Sequence, residues 1–155
     1  MGDFVIRAAL PSDASAIVAL LRELAAYEKL QEHFTLNEAE VLRDMFGAAC
    51  RCELAFQNGE PVGIATWFWT YKSFRAVKGL YVEDLYVKPA YRGKGLGRQF
   101  LVRLAHEARA AGGLLEWRVL DWNKPAIAFY QSLGARLIPE WVDCRLEGEG
   151  LERLI

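Results

Sequence analysis

A glycine-rich loop that carries three cations is the feature of this sequence best suited to bind a ligand. The loop reads Arg92-Gly93-Lys94-Gly95-Leu96-Gly97-Arg98 and lies between a predicted strand and a predicted helix. Glycines let a backbone adopt positive φ angles and approach a ligand closely, and the N–H groups that begin a helix form an anion site. The charges of Arg92, Lys94 and Arg98 favour a phosphorylated ligand. A plain helix-entry turn is the alternative.

The glycine spacing excludes two common phosphate-binding motifs. A P-loop requires Gly-x-x-x-x-Gly-Lys followed by Ser or Thr, and this pattern is absent. The dinucleotide fingerprint requires Gly-x-Gly-x-x-Gly, whereas this loop has Gly-x-Gly-x-Gly, with its third glycine misplaced. The loop also follows several predicted strands in mid-chain, which suits a doubly wound nucleotide fold poorly.

Two adjacent carboxylates, Glu83 and Asp84, lie in the middle of the apolar segment 80–87. Strict strand alternation predicts two faces: Leu80, Val82, Asp84 and Tyr86 on one, and Tyr81, Glu83, Leu85 and Val87 on the other. A buried carboxylate without partners is costly or has a raised pKa. Each carboxylate therefore either serves a site, pairs with a cation or opens into a solvated cleft.

Cysteine and histidine indicate neither a metal site nor a catalytic dyad. The three cysteines, Cys50, Cys52 and Cys144, have no framework spacing, which favours a reducing compartment. His33 and His106 are isolated, and no second Cys/His pair lies at ligand spacing from Cys50 and Cys52. We expect no metal.

The elements that must position these residues follow from hydrophobic periodicity and capping signals. Strands are predicted at 4–8, 52–56, 62–71, 80–87 and 114–120, with an Asn-Gly turn at 58–59. Helices are predicted to begin at Pro11-Ser12-Asp13, at Thr35 or Asn37, at the glycine loop, and at Asp121 or Asn123. One or two further strands are predicted around 135–138 and 141–146. This order predicts an α/β (α+β) fold with a mixed sheet and helices on both faces.

Bulk composition narrows the class of protein. The 155 residues fit one domain, residues 1–155, and 53% of them are hydrophobic and 25% charged. A net charge of −1 is atypical of a nucleic-acid-binding protein. The N-terminus does not have the pattern of a signal peptide, and no apolar stretch could span a membrane. We expect a cytoplasmic protein that binds neither nucleic acid nor membrane.

The loop and a downstream segment together resemble the GNAT superfamily of N-acetyltransferases. The loop fits the family pattern Gln/Arg-x-x-Gly-x-Gly/Ala, and residues 123–135 resemble its Asn-x-x-Ala-x-x-x-Tyr-x-x-x-Gly-Phe segment. Four strings look like the spermidine/spermine (diamine) and thialysine acetyltransferase branch: 4–7, 23–28, 81–84 and 122–125. The resemblance implies a mostly antiparallel central sheet, acetyl-CoA as co-substrate and a homodimer with a subunit contact around 141–146.

The resemblance also assigns roles to individual positions. It implies that Glu83 is the general base and Tyr130 the general acid that protonates the leaving thiolate. The amine substrate would be bound by Tyr27, Glu28, Glu83 and Asp84. The coenzyme would be bound by the backbone of Leu85, Tyr86 and Val87, by the loop residues Arg92, Gly93, Lys94, Gly95, Leu96, Gly97 and Arg98, and by Asn123. From the residues alone, a core aromatic on the helix that also carries Ile127 and Leu133 is the favoured interpretation of Tyr130.

The acceptor is expected to be a small molecule with a primary amine, either a diamine or polyamine or an amino acid with a side-chain amine such as thialysine. Lys72 stands where polyamine acetyltransferases are expected to have an acid, which disfavours a long polycation and moves weight toward a smaller amine. Two alternatives remain: a protein or peptide N-acetyltransferase, and a non-catalytic acyl-CoA-binding module.

Overall fold

The computed structural model describes residues 3–155, which divide into two compact units. The first unit runs to Arg118 and the second is Val119–Ile155. The first contains strands β1 (Val5–Ala8), β2 (Arg51–Gln57), β3 (Glu60–Lys72), β4 (Val77–Val87) and β5 (Leu114–Trp117), with helices α1 (Ala14–Tyr27), α2 (Glu38–Asp44) and α3 (Leu96–Ala110). The second contains α4 (Lys124–Ser132) and α5 (Glu149–Glu152).

The strands form one sheet in the order β1-β2-β3-β4-β5. Neighbours are antiparallel from β1 to β4, and β5 is parallel to β4. The β2–β3 turn has positive φ at Asn58 (51°) and Gly59 (81°), as a tight hairpin turn of the Asn-Gly type requires. The prediction of a mixed, mostly antiparallel sheet is confirmed.

Helices cover both faces of this sheet. On one face, α1 and α2 pack against β2 and β3 through a core that includes Ile17, Val41, Leu54 and Ile64, all at 0% exposure. On the other face, α3 packs through Phe100 and Leu104 against a core that contains Val62, Leu80 and Val82. The two-sided burial explains why β3 and β4 read as nearly continuous apolar segments.

Two helix starts that the sequence left open are resolved by side-chain caps. Asn37, not Thr35, caps α2: its Oδ1 accepts from Glu40 N at 3.1 Å, and Glu40 Oε2 accepts from Asn37 N at 3.1 Å. This reciprocal pair is a capping box. Asn123 caps α4 by accepting from Ala126 N at 3.4 Å. In both cases an Asn side chain satisfies a backbone donor that has no helical acceptor.

Two strand predictions near the C-terminus were wrong. The strand predicted at 114–120 begins at Leu114 as predicted but ends at Trp117, whose partner Val82 directly precedes the bulge in β4. The strands predicted around 135–138 and 141–146 are absent, since these residues form no regular strand. Trp141 is 82% exposed and Val142 81%, and a strand pair without a buried face is only marginally stable.

Among residues 3–155, none of the helices combines the length and the apolar character that a membrane crossing requires.

Candidate active site

A β-bulge in β4 positions the two adjacent carboxylates. Thr66 of β3 pairs with Asp84, whereas the next residue, Trp67, pairs with Val82, so Glu83 is the extra residue. The predicted alternation across residues 80–87 was therefore wrong, because one extra residue reverses the pattern. Leu80, Val82, Leu85 and Val87 all pack on the α3 side, and Tyr86 packs on the α1 side.

The bulge gives the two acids different surroundings. The side chain of Glu83 is exposed, whereas Asp84 is half-buried and its Oδ2 accepts a hydrogen bond from the hydroxyl of Thr66. Thr66 is 1% exposed. Burial raises the pKa of Asp84 to about 6; the Thr66 hydrogen bond opposes the shift, and the charge of Glu83 adds to it. Among residues 3–155, neither carboxylate forms an ion pair, so the ion-pair alternative does not apply.

Glu28 joins these two acids from the end of α1. It is the residue that ends the helix, directly after Tyr27. Burial raises the pKa of Glu28, and the charges of Asp84 and Glu83 raise it further. The structure thus brings together three of the four predicted substrate-binding residues as a carboxylate cluster, defined here as Glu28, Glu83 and Asp84. Neighbouring carboxylates of this kind attract a positively charged ligand such as an ammonium group.

The glycine loop opens α3 in the geometry of an anion site. Gly93 and Gly95 have φ of 72° and 82°, and space is open where a Cβ would stand at each. Gly95 caps α3, and Gln99 N bonds to Gly95 O at 3.0 Å. The N–H groups of residues 96–98 precede this first bond and have no carbonyl of α3 to donate to. Open glycines beside free helical N–H groups fit a pyrophosphate.

The side chains of the loop cations differ in direction. Arg92 turns back: its Nε donates to Val87 O at 2.8 Å, and its Cζ lies 4.8 Å from the Tyr27 ring centroid and 5.6 Å from that of Tyr86. Lys94 Nζ lies 5.3 Å from the Tyr91 ring centroid. Arg98 is exposed on the first turn of α3. The contact of Arg92 with Tyr27 depends on tertiary packing and has no signal in the local sequence.

The backbone of Leu85 to Val87 presents an open edge, except at Val87 O, which accepts from Arg92 Nε at 2.8 Å. On one side these residues pair with β3, from Ala65 to Gly63. On the other side β5 pairs with β4 only over Gly79 to Val82, so within the sheet this edge has no strand partner beyond Val82. An extended amide-containing ligand could hydrogen-bond there as a strand does. The edge leads directly toward the glycine loop.

The remaining predicted site residues lie in the second unit. Asn123 is 8% exposed and caps α4. Tyr130 lies in α4, half-buried, with its ring centroid 5.4 Å from that of Phe129. No residue of α4 is fully buried, which weakens the interpretation of Tyr130 as an ordinary core aromatic. The coenzyme contact of Asn123 and the acid role of Tyr130 stay predictions.

Lys72 is paired with a carboxylate that sequence analysis missed. Lys72 Nζ lies 2.6 Å from Glu116 Oε1, which also accepts from the Thr70 hydroxyl at 3.0 Å. Both partners are partly buried, with side-chain exposures of 38% and 27%. No spacing rule connects positions 72 and 116, so only the sheet register could reveal this pair. The charge of Lys72 is thus offset locally.

The thiols of Cys50 and Cys52 take no visible part in the site. Burial raises the pKa of Cys50 to about 11, and the charge of Asp84 adds to the shift; burial also raises the pKa of the Cys52 thiol. Both therefore stay protonated and weakly nucleophilic at neutral pH. Within residues 3–155, no three His, Cys, Asp or Glu side chains form a group able to hold a metal ion.

Known proteins resemble this chain in sequence and in fold. The thialysine N-epsilon-acetyltransferase of Bos taurus is 36% identical over 168 residues, with 99% of this chain and 98% of that protein covered. The L-ornithine N5-acetyltransferase of Arabidopsis thaliana is 42% identical over 93 residues, 59% of this chain and 41% of that protein. A solved integron cassette protein of V. cholerae has a TM-score of 0.82 at 27% identity, with 97% and 96% of the two chains covered.

The family model described as "Acetyltransferase (GNAT) family" matches residues 15–135. This range includes β4 with its bulge, the glycine loop and most of the segment around Tyr130. Members of this family use acetyl-CoA as co-substrate, in agreement with the anion-binding loop and the open strand edge. The chain therefore belongs to the GNAT family and is an acetyl-CoA-dependent N-acetyltransferase.

Proposed function

We propose that this protein acetylates the primary amine of a small molecule, which attacks acetyl-CoA directly in a ternary complex. The observation that carries the proposal is the carboxylate cluster of Glu28, Glu83 and Asp84. Its members are close enough for the charges of Glu83 and Asp84 to raise the pKa of Glu28. Glu83 and Asp84 lie on β4, whose open edge leads to the glycine loop. An ammonium group held by these acids therefore lies beside the strand that is proposed to bind the coenzyme.

The cluster suits the capture of a cationic amine. Within residues 3–155 these three carboxylates form no ion pair, so they repel one another, and a bound ammonium relieves that repulsion. The charges also concentrate cations at the site before binding. Tyr27, at the end of α1 next to Glu28, adds an aromatic ring at the same place. We propose that these four residues bind the acceptor.

The amine must lose a proton before it can attack. With a pKa near 10.4, only about one amine in two thousand is neutral at pH 7. In the proposed reaction Glu83, the exposed acid of the bulge, takes this proton directly or through water. The nitrogen lone pair then forms a bond to the thioester carbonyl carbon. As the C–S bond breaks, the Tyr130 hydroxyl donates its proton to the departing sulfur, and the nitrogen loses its second proton to solvent. Solvent then returns a proton to Tyr130 and takes one from Glu83, which restores both residues.

The first acceptor class we propose is amino acids with a side-chain amine. Relatives of this chain carry names that specify thialysine and L-ornithine. Pairing with Glu116 neutralises Lys72, so this lysine is a weaker barrier to polyamines than its position in the sequence implies. A diamine or polyamine is therefore the second acceptor class to test.

A thiol-release assay tests the proposal. Purified protein and acetyl-CoA are incubated with thialysine, ornithine, lysine, spermidine and a lysine-containing peptide, and products are identified by mass spectrometry. We expect release of the coenzyme A thiol when any of the free amines is the acceptor. Release only with the peptide would refute the small-molecule acceptor, and coenzyme binding without release for any amine would refute catalysis.

A matched pair of variants locates the acceptor site in the same assay. Glu28→Gln removes one charge of the carboxylate cluster and should raise the KM for the amine. Glu32→Gln removes an equivalent charge from an exposed position whose neighbour is His33 at 3.7 Å, and should leave KM unchanged. Equal effects of the two variants would contradict the assigned site.

We also propose that the protein is one domain over residues 1–155, a homodimer and cytoplasmic. The exposed apolar side chains of Trp141 and Val142, at 82% and 81%, favour a subunit contact there. The three free cysteines favour a reducing compartment. Light scattering of the purified protein tests the dimer.

A further inference from the structure

Arg92, the first cation of the glycine loop, connects this loop to the end of α1 through its side-chain contacts. Its Nε donates to Val87 O at 2.8 Å, which holds the guanidinium against the end of β4. From there the Cζ atom lies 4.8 Å from the Tyr27 ring centroid and 5.6 Å from the Tyr86 ring centroid. Both distances are within the range of cation–π attraction. The guanidinium of Arg92 is therefore held by Val87 O through its Nε and by the rings of Tyr27 and Tyr86.

The same end of α1 is held at a second point, one helical turn earlier. Glu23 Oε2 accepts a hydrogen bond from the Tyr86 hydroxyl at 3.0 Å, and Glu23 Oε1 lies 3.7 Å from Lys88 Nζ. Residues 23 and 27 are four apart and share one face of the helix. The last turn of α1 is thus fastened to β4 and to the segment that follows it.

Tyr27 is followed directly by Glu28, which belongs to the carboxylate cluster. The contact of the Tyr27 ring with Arg92 anchors the turn of α1 that ends at Glu28, so losing this contact removes one restraint on the position of Glu28. The position of the acceptor-binding acid therefore depends on a side chain from the coenzyme loop.

We propose that Arg92 is a positioning residue for the acceptor site, acting through Tyr27 and the end of α1 rather than chiefly as a phosphate ligand. This inference rests on the proposed function, because it concerns the binding of the amine. It makes the two substrates energetically linked: ordering of the loop by the coenzyme also orders the end of α1, which raises the affinity for the amine.

Two substitutions separate positioning from charge. Arg92→Lys keeps the positive charge but loses the Nε donor and the planar group that lies over the rings. Arg92→Gln loses the charge but has an amide of similar reach. A phosphate ligand would tolerate lysine and not glutamine, with the effect on the Kd of coenzyme A. If Arg92 is a positioning residue, both substitutions should raise the KM of the amine.

The measurements are the amine KM and kcat from thiol release, the coenzyme A Kd from calorimetry and the melting temperature of each variant. We expect both variants to raise the amine KM about tenfold, the effect of losing one charge-assisted hydrogen bond, with the coenzyme Kd within about twofold of the parent. Arg109→Lys, at the other end of α3, controls for the exchange itself and should change nothing.

A double-mutant cycle with Tyr27→Leu tests whether Arg92 acts through this ring. Tyr27 is 38% exposed, so the protein should tolerate leucine. If the route is correct, Arg92→Lys adds little to the amine KM once Tyr27 is replaced. Full additivity would overturn the route, and a change confined to the coenzyme Kd would overturn the proposal. Failure of the parent protein to acetylate any amine would instead refute the proposed function.

Discussion

Replacing Thr66 by valine removes one hydroxyl from beside Asp84 and keeps the branched shape of the side chain. Thr66 is 1% exposed and donates to Asp84 Oδ2, so no other group can easily take its place. An ionised carboxylate gains more from a hydrogen-bond donor than a neutral acid does. The substitution should therefore raise the pKa of Asp84.

The size of this increase follows from the surroundings of Asp84. Burial and the charge of Glu83 raise its pKa from 3.8 to about 6, against the opposing effect of Thr66. A hydrogen bond to a charged group contributes about 1.5 to 3 kcal/mol, and each pKa unit corresponds to about 1.4 kcal/mol. The hydroxyl can also accept from the neutral acid, so we expect the lower end, an increase of about one unit.

The assay is the amine KM as a function of pH, from about pH 5 to about pH 8.5. An ammonium group binds the ionised form of Asp84, so KM should rise as the pH falls through the pKa of Asp84. We expect the inflection near pH 6 in the parent and about one unit higher in Thr66→Val. Glu28 and Glu83 also face this group, and the Cys50 thiol, with a pKa of about 11, stays protonated throughout.

Thr66→Ser is the matched control, because it keeps the hydroxyl and loses only a methyl group. The inflection of its KM profile should match that of the parent. The titration of the free amine is common to all variants, so dividing the KM values of Thr66→Val by those of Thr66→Ser at each pH removes it. Equal inflections for the valine and serine variants would refute the claim that Thr66 sets the ionisation of Asp84. A flat KM profile in the parent would refute contact between Asp84 and the cation.

Three further predictions concern stability, the loop and the acid. Asp84 has a folded pKa above its unfolded value, so the contribution of Asp84 to stability is fully present below about pH 4 and is lost as the pH rises through about 6; Asp84→Asn should remove this loss, raising the free energy of unfolding at pH 8 by about 2 to 3 kcal/mol in urea titrations. Gly95→Ala places a side chain at φ 82°, which should cost about 1 kcal/mol and weaken coenzyme binding in calorimetry; unchanged affinity would contradict a role for this loop geometry. Tyr130→Phe should lower kcat by about a hundredfold or more with coenzyme binding retained, and near-normal turnover would exclude the acid role.

Structural features that depend only on neighbouring residues in the sequence could be predicted. The glycine loop was identified because alternating glycines and cations before an apolar helix have few other uses, and its positive φ angles at Gly93 and Gly95 agree with that prediction. The strands from β1 to β4 follow from apolar runs bounded by turn residues. The C-terminal strands were mispredicted because the apolar residues around Trp141 have no face to pack against within their own segment.

Features that depend on pairing between distant segments could not be predicted. The bulge at Glu83 results from the register between β3 and β4, and a strand pattern read by alternation has no signal for one extra residue. The partner of Asp84, Thr66, lies on a neighbouring strand, and the partner of Lys72, Glu116, lies two strands away. The contact of Arg92 with Tyr27 likewise arises only when α1 packs beside the end of β4.

The bulge also determines which changes of chain length β4 can tolerate. Because Glu83 has no partner in β3, deleting it would restore strict alternation and turn every residue on one side of it to the opposite face of the sheet. Leu85 and Val87 would leave the α3 core, and Tyr86 would enter it. A substitution at position 83 changes one side chain, whereas a deletion there inverts the strand that presents its edge to the coenzyme. In related chains the number of residues between Val82 and Asp84 should therefore stay constant, whatever side chain stands at position 83.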